Sequence, residues 1–433
     1  MGLQNIIFIL ILASGIAFFT WNARKIRRNI MLGRPLNRSD RKGERWMIML
    51  KVALGQTKMA VRPIPFFLHL FVYVGFILIN VEVLEIVLDG IFGTHRLFGF
   101  LGGFYNFIIG FFELLAFAVL VSVIIFLARR NLVYVKRLWQ KELNGWPKTD
   151  ANIILVVEVL LMGAFLTMNA ADQVLQMRGV EHYVKAGSFP VSGLITSWFE
   201  GLSTNGLIIY ERSAWWFHII GIIAFLNYLP YSKHFHIVLA FPNVWYSNLE
   251  PNGEINNMQA VTNEVKLMLD PSATPPETTE AVKFGAKDIQ DLTWKNLLDA
   301  YTCTECGRCT AECPANITGK KLSPRAIMMK TRDRVEEVGK NIDANKGVFV
   351  DDGKSLLHDY ITPEELWACT TCNACVEACP VNIDPLAIIV DLRRQLVMEE
   401  SAPPAALNVM FTNIENNGAP WQFSQNDRLN WKE

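Results

Sequence analysis

The sequence predicts an all-α protein: five transmembrane helices in a bundle, followed by a smaller helical domain outside the membrane. Three observations predict it. Apolar residues make up 51% of 433 positions, with 27 Phe and 12 Trp, and they crowd into the first 240 or so. Five stretches there are apolar enough, and at roughly 20 residues long enough, to cross a bilayer as helices. All eight cysteines lie in two short runs within the more polar remainder.

The spans fall at about 3–21 ("LQNIIFILILASGIAFFTW"), 63–88, 104–128, 152–171 and 214–240, within a membrane domain over 1–241. The first lacks a preceding basic region and a clear small-residue cleavage site, so it reads as an anchor and not a secretory signal. A buried core helix is the alternative for any single span; five in 240 residues weigh against it.

Orientation follows from the loops. Residues 22–62 hold twelve Lys or Arg and residues 129–151 hold six, whereas the opposite loops hold one (Arg96) and three (Arg178, Lys185, Arg212). The positive-inside rule then puts the N-terminus outside and everything after span five in the cytoplasm. Clustered thiols with none left over for structural disulfides point independently to a reducing compartment. The expected location is the inner (cytoplasmic) membrane of a prokaryote. Net formal charge is zero, with no Lys/Arg stripe, so nucleic-acid binding has no electrostatic footprint.

Residues 242–290, with "DPSATPPETTE" inside, read as a linker. "TWKNLLDAY" and "SPRAIMMKTRDRVEEV" read as helices of a domain over 291–398, the second opening on a Ser-Pro start. The Pro- and Asn-rich tail, 399–433, is expected to be extended and to contact a partner.

The two runs, "CTECGRCTAECP" (303–314) and "CTTCNACVEACP" (369–380), share the spacing C-x2-C-x2-C-x3-C-P. That is the bacterial ferredoxin pattern for two four-iron clusters, in which the fourth cysteine of each run ligates the other cluster. Cys303, Cys306, Cys309 and Cys379 would hold one 4Fe-4S cluster, and Cys369, Cys372, Cys375 and Cys313 the other. Paired zinc sites are the alternative, but they need only two C-x2-C knuckles each. The first cysteines stand 66 residues apart with a helical insert, which predicts an α-helical dicluster domain. Such a domain resembles the iron–sulfur parts of heterodisulfide reductases, glycerol-3-phosphate dehydrogenases and succinate dehydrogenases.

Of seven histidines, His69 lies in span two, and His218, His234 and His236 lie in or just past span five. On a continuous helix, eighteen residues make five whole turns, so His218 and His236 would share a face about 27 Å apart, with His234 about 160° away. His69 lies near the cytoplasmic start of its span, so depth pairs it with His236 as axial ligands of an inner haem b. The alternative is ordinary polar packing. His218 faces the outer leaflet and implies a second haem or a quinone contact. Its partner is open: the position ten beyond His69 is Ile79, followed by Asn80. Met162, Met168, His95 and His182 are the remaining candidates.

"FHIIGIIAFLNYLPYSKHFHIVLAFP" (217–242) resembles the last span of the cytochrome b subunit of respiratory nitrate reductase, where two histidines eighteen apart each bind a haem. "FLHLFVYVGF" (67–76) resembles its second span, and His69 matches its cytoplasmic-side ligand. The whole chain resembles the membrane iron–sulfur proteins related to heterodisulfide reductase, some proposed to take electrons from electron-transfer flavoprotein. "FGAKDIQDLTWKNLLDAYTCTECGRCTAECP" (284–314) and "NNGAPWQFSQNDRLNW" (416–431) carry that likeness. Longer members continue into a Cys-rich CCG domain, which implies a separate CCG-type partner subunit here.

The expected function is a membrane-anchoring electron-transfer subunit of a quinone-linked respiratory oxidoreductase, joining a cytoplasmic partner, two clusters, haem b and the quinone pool. A quinol-oxidising subunit of a disulfide or sulfur reductase, run in reverse, and a membrane redox sensor are the alternatives. With no Ser/His/Asp set, Walker loop or GxGxxG after a strand, no catalytic residue and no nucleotide or flavin site is assigned. "GSFPVSGLITSWFEGL" (187–202) reads as a loop packed on the outer face, with an interfacial helix or a quinone pocket wall as the alternatives.

Overall fold

The computed structural model of the protein describes residues 2–270, 272 and 283–432, and among these it is helical with no strands. Five helices are long and apolar enough to span a membrane: Leu3–Ile30, Pro63–Phe92, Gly103–Asn131, Trp146–Met177 and a fifth starting at Thr204. Their ends follow local chemistry. Proline occupies the first turn of spans two and four, where a missing N–H costs nothing. Gly93, at φ 75°, closes span two in the left-handed conformation. The Ser203 hydroxyl caps span five by accepting from Gly206 N at 3.1 Å.

The fifth span departs from the expected 214–240. It begins at Thr204 and its α-helix ends at Tyr228. A 3-10 turn, Leu229–Tyr231, carries Pro230, and Ser232 is extended (φ −119°, ψ 150°) with its side chain capping His234 N. A separate helix, His236–Trp245, then starts. The eighteen residues from His218 to His236 therefore cross a break and are not five helical turns.

Lipid offers no hydrophobic driving force between spans, so close backbone approach does the packing. A Cβ on Gly75 would lie 2.5 Å from Val119, and one on Gly221 would lie 2.6 Å from Leu161. Outside the spans, Ile289, Leu297, Ile327, Leu366 and Ile388 form a core with no exposed surface. That core runs on without interruption into Ile26, Ile30, Leu229 and Leu239 of the membrane unit.

The chain after span one pairs directly with the cysteine domain. Arg34 N donates to Leu292 O at 2.7 Å, and Trp294 N donates to Arg34 O at 3.1 Å. The two basic loops sit on this same side. The fully buried Arg45 donates to the carbonyls of Trp245 and Ser247 at 3.0 and 2.9 Å. The equally buried Arg325 reaches Arg137 O and Glu142, both at 2.7 Å. Lys25 and Arg28 pair with Asp343, and Arg62 pairs with Glu312, so part of the expected positive-inside charge contacts the cysteine domain.

The segment 242–290 is more ordered than a linker. Helices His236–Trp245 and Gln259–Leu269 occupy part of it, and Ala286 and Ile289 belong to the core. Most of "DPSATPPETTE" lies outside the described residues. The tail is not extended throughout: Ala405–Asn417 is an α-helix, starting after Pro404 and stopped by Gly418 at φ 63°. Those are helix-boundary signals inside a composition that otherwise reads as loop.

Candidate functional site

The helix Trp294–Thr302, capped by Thr293, delivers the chain to Cys303, and each cysteine run then folds in the same way. Left-handed residues recur at matching positions: Glu305 (φ 56°) and Gly307 (72°) in the first run, Thr371 (56°) and Asn373 (59°) in the second. A β-branched residue holds that conformation only under constraint. Here it turns the loop so that successive cysteines face one centre. One-turn helices, Arg308–Ala311 and Ala374–Glu377, follow.

All eight cysteines are free thiols. Cys379, last of the second run, has Cys306 and Cys303 as charge neighbours, and Cys309 has Cys303, Cys306 and Cys379, followed by Cys375. Cys369 and Cys375 both have Cys313 beside them. Each run thus lends its last thiol to the other group. Burial, with neighbouring thiols adding to it, pushes Cys303 up to about 11 and Cys379 up to about 12. Thiolates there need a cation, which iron would supply. Among the described residues no three Cys, His or carboxylate groups converge at single-ion spacing. Backbone N–H groups point at two sulfurs, Thr371 N to Cys369 Sγ and Ile383 N to Cys379 Sγ, each at 3.3 Å.

The histidines divide into two places. His69 and His236 are electrostatic neighbours. His234 joins them, its ring centroid 5.6 Å from that of His236. The expectation that His234 points away fails because the helix is broken before it. His69 Nδ1 lies 3.0 Å from Gln56 Oε1, and His236 Nδ1 lies 3.1 Å from Lys233 O. An oxygen at Nδ1 fixes the proton there and leaves Nε2 as a free ligand atom, the usual arrangement behind a metal-binding imidazole. These residues therefore fit an iron porphyrin.

His218 stands apart, 3% exposed in span five, with Nδ1 3.0 Å from Leu161 O and its ring tilted against Phe165. It too keeps Nε2 free. Ile79 is core, and Asn80 turns back to the carbonyl of Phe76, so neither supplies a partner. His95 and His182 meet in the opposite loops, 5.6 Å apart. The 187–202 segment carries two short helices, Ser192–Ile195 and Ser197–Glu200, with Leu194 and Trp198 exposed, and is anchored by the buried Ser192 hydroxyl, which lies against Glu113 of span three and 2.8 Å from Leu166 O.

Sequence reasoning missed the residues that join the two places. Lys233 Nζ, buried beside His234, pairs with Glu305 between the first two cysteines, and Glu305 also pairs with Arg332. A carboxylate inside a cysteine run was the available signal.

Residues 302–383 match the model of a 4Fe-4S dicluster domain. The chain is 28% identical over 456 residues to a probable iron-sulfur-binding oxidoreductase FadF of Bacillus subtilis, covering 99% of this chain and 60% of the relative. It is 28% identical over 453 residues to an EtfAB:quinone oxidoreductase of Syntrophomonas wolfei, covering 98% and 58%. Over 156 residues it is 28% identical to one subunit of the dihydromethanophenazine:CoB--CoM heterodisulfide reductase of Methanosarcina mazei, 35% of this chain and 37% of that one. The chain thus spans about three-fifths of the length of the first two relatives. No solved structure matches. The chain is a multi-pass membrane protein carrying a 4Fe-4S dicluster domain, similar along nearly its whole length to a FadF-type iron–sulfur oxidoreductase and an EtfAB:quinone oxidoreductase, and over about a third of it to heterodisulfide reductase subunits.

Proposed function

We propose that this chain is the membrane-anchoring electron-transfer subunit of a quinone-linked respiratory oxidoreductase. Cys303, Cys306, Cys309 and Cys379 hold one 4Fe-4S cluster, and Cys369, Cys372, Cys375 and Cys313 hold the second. His69 and His236 hold a haem b, and His218 marks the place of another. When bound, these groups supply one-electron carriers between two-electron partners. The chain's own residues fix their spacing, set their surroundings and keep water out.

One observation carries the reading. The histidine trio lies directly beneath the first cysteine run, tied to it through Lys233 and Glu305. The basic loops share that side, which supports an N-terminus outside and an iron–sulfur domain in the cytoplasm. The name of the Syntrophomonas wolfei relative supports quinone as one terminus and electron-transfer flavoprotein as the other. The exposed helix Ala405–Asn417 offers a surface to a CCG-type or other redox subunit. The methanogen relatives favour a second reading, with quinol as donor and a disulfide-type reductase as acceptor.

The test is optical. Purified protein given a flavoprotein-level reductant should show reduced b-type haem absorbance, and added quinone should bleach it. Protein without haem absorbance would overturn the reading in favour of a cluster-based sensor. Reduction by quinol would select the reverse direction.

A further inference from the structure

The spans end in a second polar region, on the side away from the cysteine domain. Glu82 lies nineteen residues into span two from Pro63, roughly 28 Å along the helix axis. A cavity of about 400 Å³ opens there, among the far ends of spans one, two, four and five. Phe8, Trp215 and Trp216 wall it, the Phe8 ring 5.5 and 6.1 Å from the two indoles.

Most polar groups around this cavity are occupied with one another. Glu85 accepts from Phe98 N and Tyr105 OH, both at 2.7 Å. Arg96 donates to Asp172 at 2.7 Å and to Asn169 at 3.1 Å. Three lining groups are different. Glu82, 4% exposed, has no partner for Oε2, and His95, its side chain 8% exposed, has none for Nδ1. Asp172 Oδ1 lies 3.2 Å from His95 Nε2 without hydrogen-bond geometry and has no partner either. A native interior rarely leaves three such atoms in one place without a guest to meet them.

We propose that this cavity binds the head group of a quinone, its ring against Phe8, Trp215 and Trp216 and its oxygens toward Glu82 and His95. The chemistry matches the guest: a flat apolar ring with a polar oxygen at each end, reached from the lipid. Reducing a bound quinone to quinol adds two electrons and two protons. The electrons come from the iron–sulfur carriers, and the site rests on that proposed function. Glu82 and His95 each relay one proton to an oxygen and take one up from water on this face. Asp172, paired with Arg96, lies against His95 Nε2. Quinol oxidation runs the same balance backwards.

The test uses the full-length protein with its cofactors in phospholipid nanodiscs and an azido-1,4-naphthoquinone as photolabel. Label is expected on peptides spanning 82–96 or 208–216. Glu82→Gln and His95→Phe should each weaken naphthoquinone binding at least tenfold, with iron–sulfur absorbance unchanged. Glu158→Gln, on the middle of span four, should leave it unchanged. Label near His69 or His236, with wild-type binding intact, overturns this site and spares the quinone-linked function. Binding unaltered by both cavity variants means a water-filled cavity and overturns it too. A wild-type protein that binds no quinone refutes the function itself.

Discussion

Lys233 Nζ and the Glu305 carboxylate form a buried ion pair joining the membrane bundle to the first cysteine loop, their side chains 8% and 2% exposed. Burial works against charging Glu305, but Arg332 and then Lys233 hold its carboxyl below the ordinary glutamate value. Burial likewise lowers Lys233, and Glu305 pulls it back. Glu305 thus answers to two cations, and Lys233 to Asp150 as well as Glu305.

The pair should therefore fail asymmetrically. Glu305→Ala takes the carboxylate from the half-buried Arg332 and leaves the buried Lys233 only Asp150, 3.8 Å away, and should cost about 3–5 kcal/mol. Lys233→Met leaves Glu305 its Arg332 partner and should cost less, about 1–3 kcal/mol. Thermal unfolding of the detergent-solubilised holoprotein ranks them, and equal losses would mean that Arg332 adds nothing.

Cysteine variants should sort by space and not by sequence. Cys379→Ser and Cys309→Ser should remove the same cluster, leaving about four irons of about eight outside haem. Cys313→Ser should group with Cys375→Ser. Iron analysis with electron paramagnetic resonance reads this directly, and Cys379→Ser resembling Cys375→Ser would deny the crossing over.

Among the three clustered histidines, the hydrogen bond at Nδ1 decides. His69→Phe and His236→Phe should abolish the inner haem spectrum, whereas His234→Phe, which loses no ring hydrogen bond among the described residues, should retain it. Gln56→Leu removes the acceptor behind His69 and should weaken haem binding about 10–100-fold. Reduced-minus-oxidised spectra settle each case.

Gly33 allows the backbone contact beneath the cysteine domain. A Cβ there would sit 2.5 Å from Trp294 N. Gly33→Ala should push the domain off its seat and cost about 1–3 kcal/mol, a typical overpacking penalty. Limited proteolysis should then cut between the two units faster than in the wild type.

The spans and cysteine runs were legible because their signals are local: twenty apolar residues, or four thiols in eleven positions. The break in span five was passed over because apolar residues resume at "FHIVLAF" after the polar "YSKH", although Pro230 and the Ser232 cap were in view. His69 and His236 are neighbours all the same, since their pairing rested on depth and not on helix face. The tail helix hid behind Pro and Asn. Lys233 with Glu305 was out of reach, because the pair forms between segments that only folding brings together.

The core shared by Ile30, Leu229, Ile289 and Leu297 leaves the upper unit no hinge on which to swing. Charge must then hop between fixed points, by tunnelling, with no lever arm ferrying it. Thickening the medium with glycerol should slow the arrival of a soluble donor and leave every later transfer at its original speed.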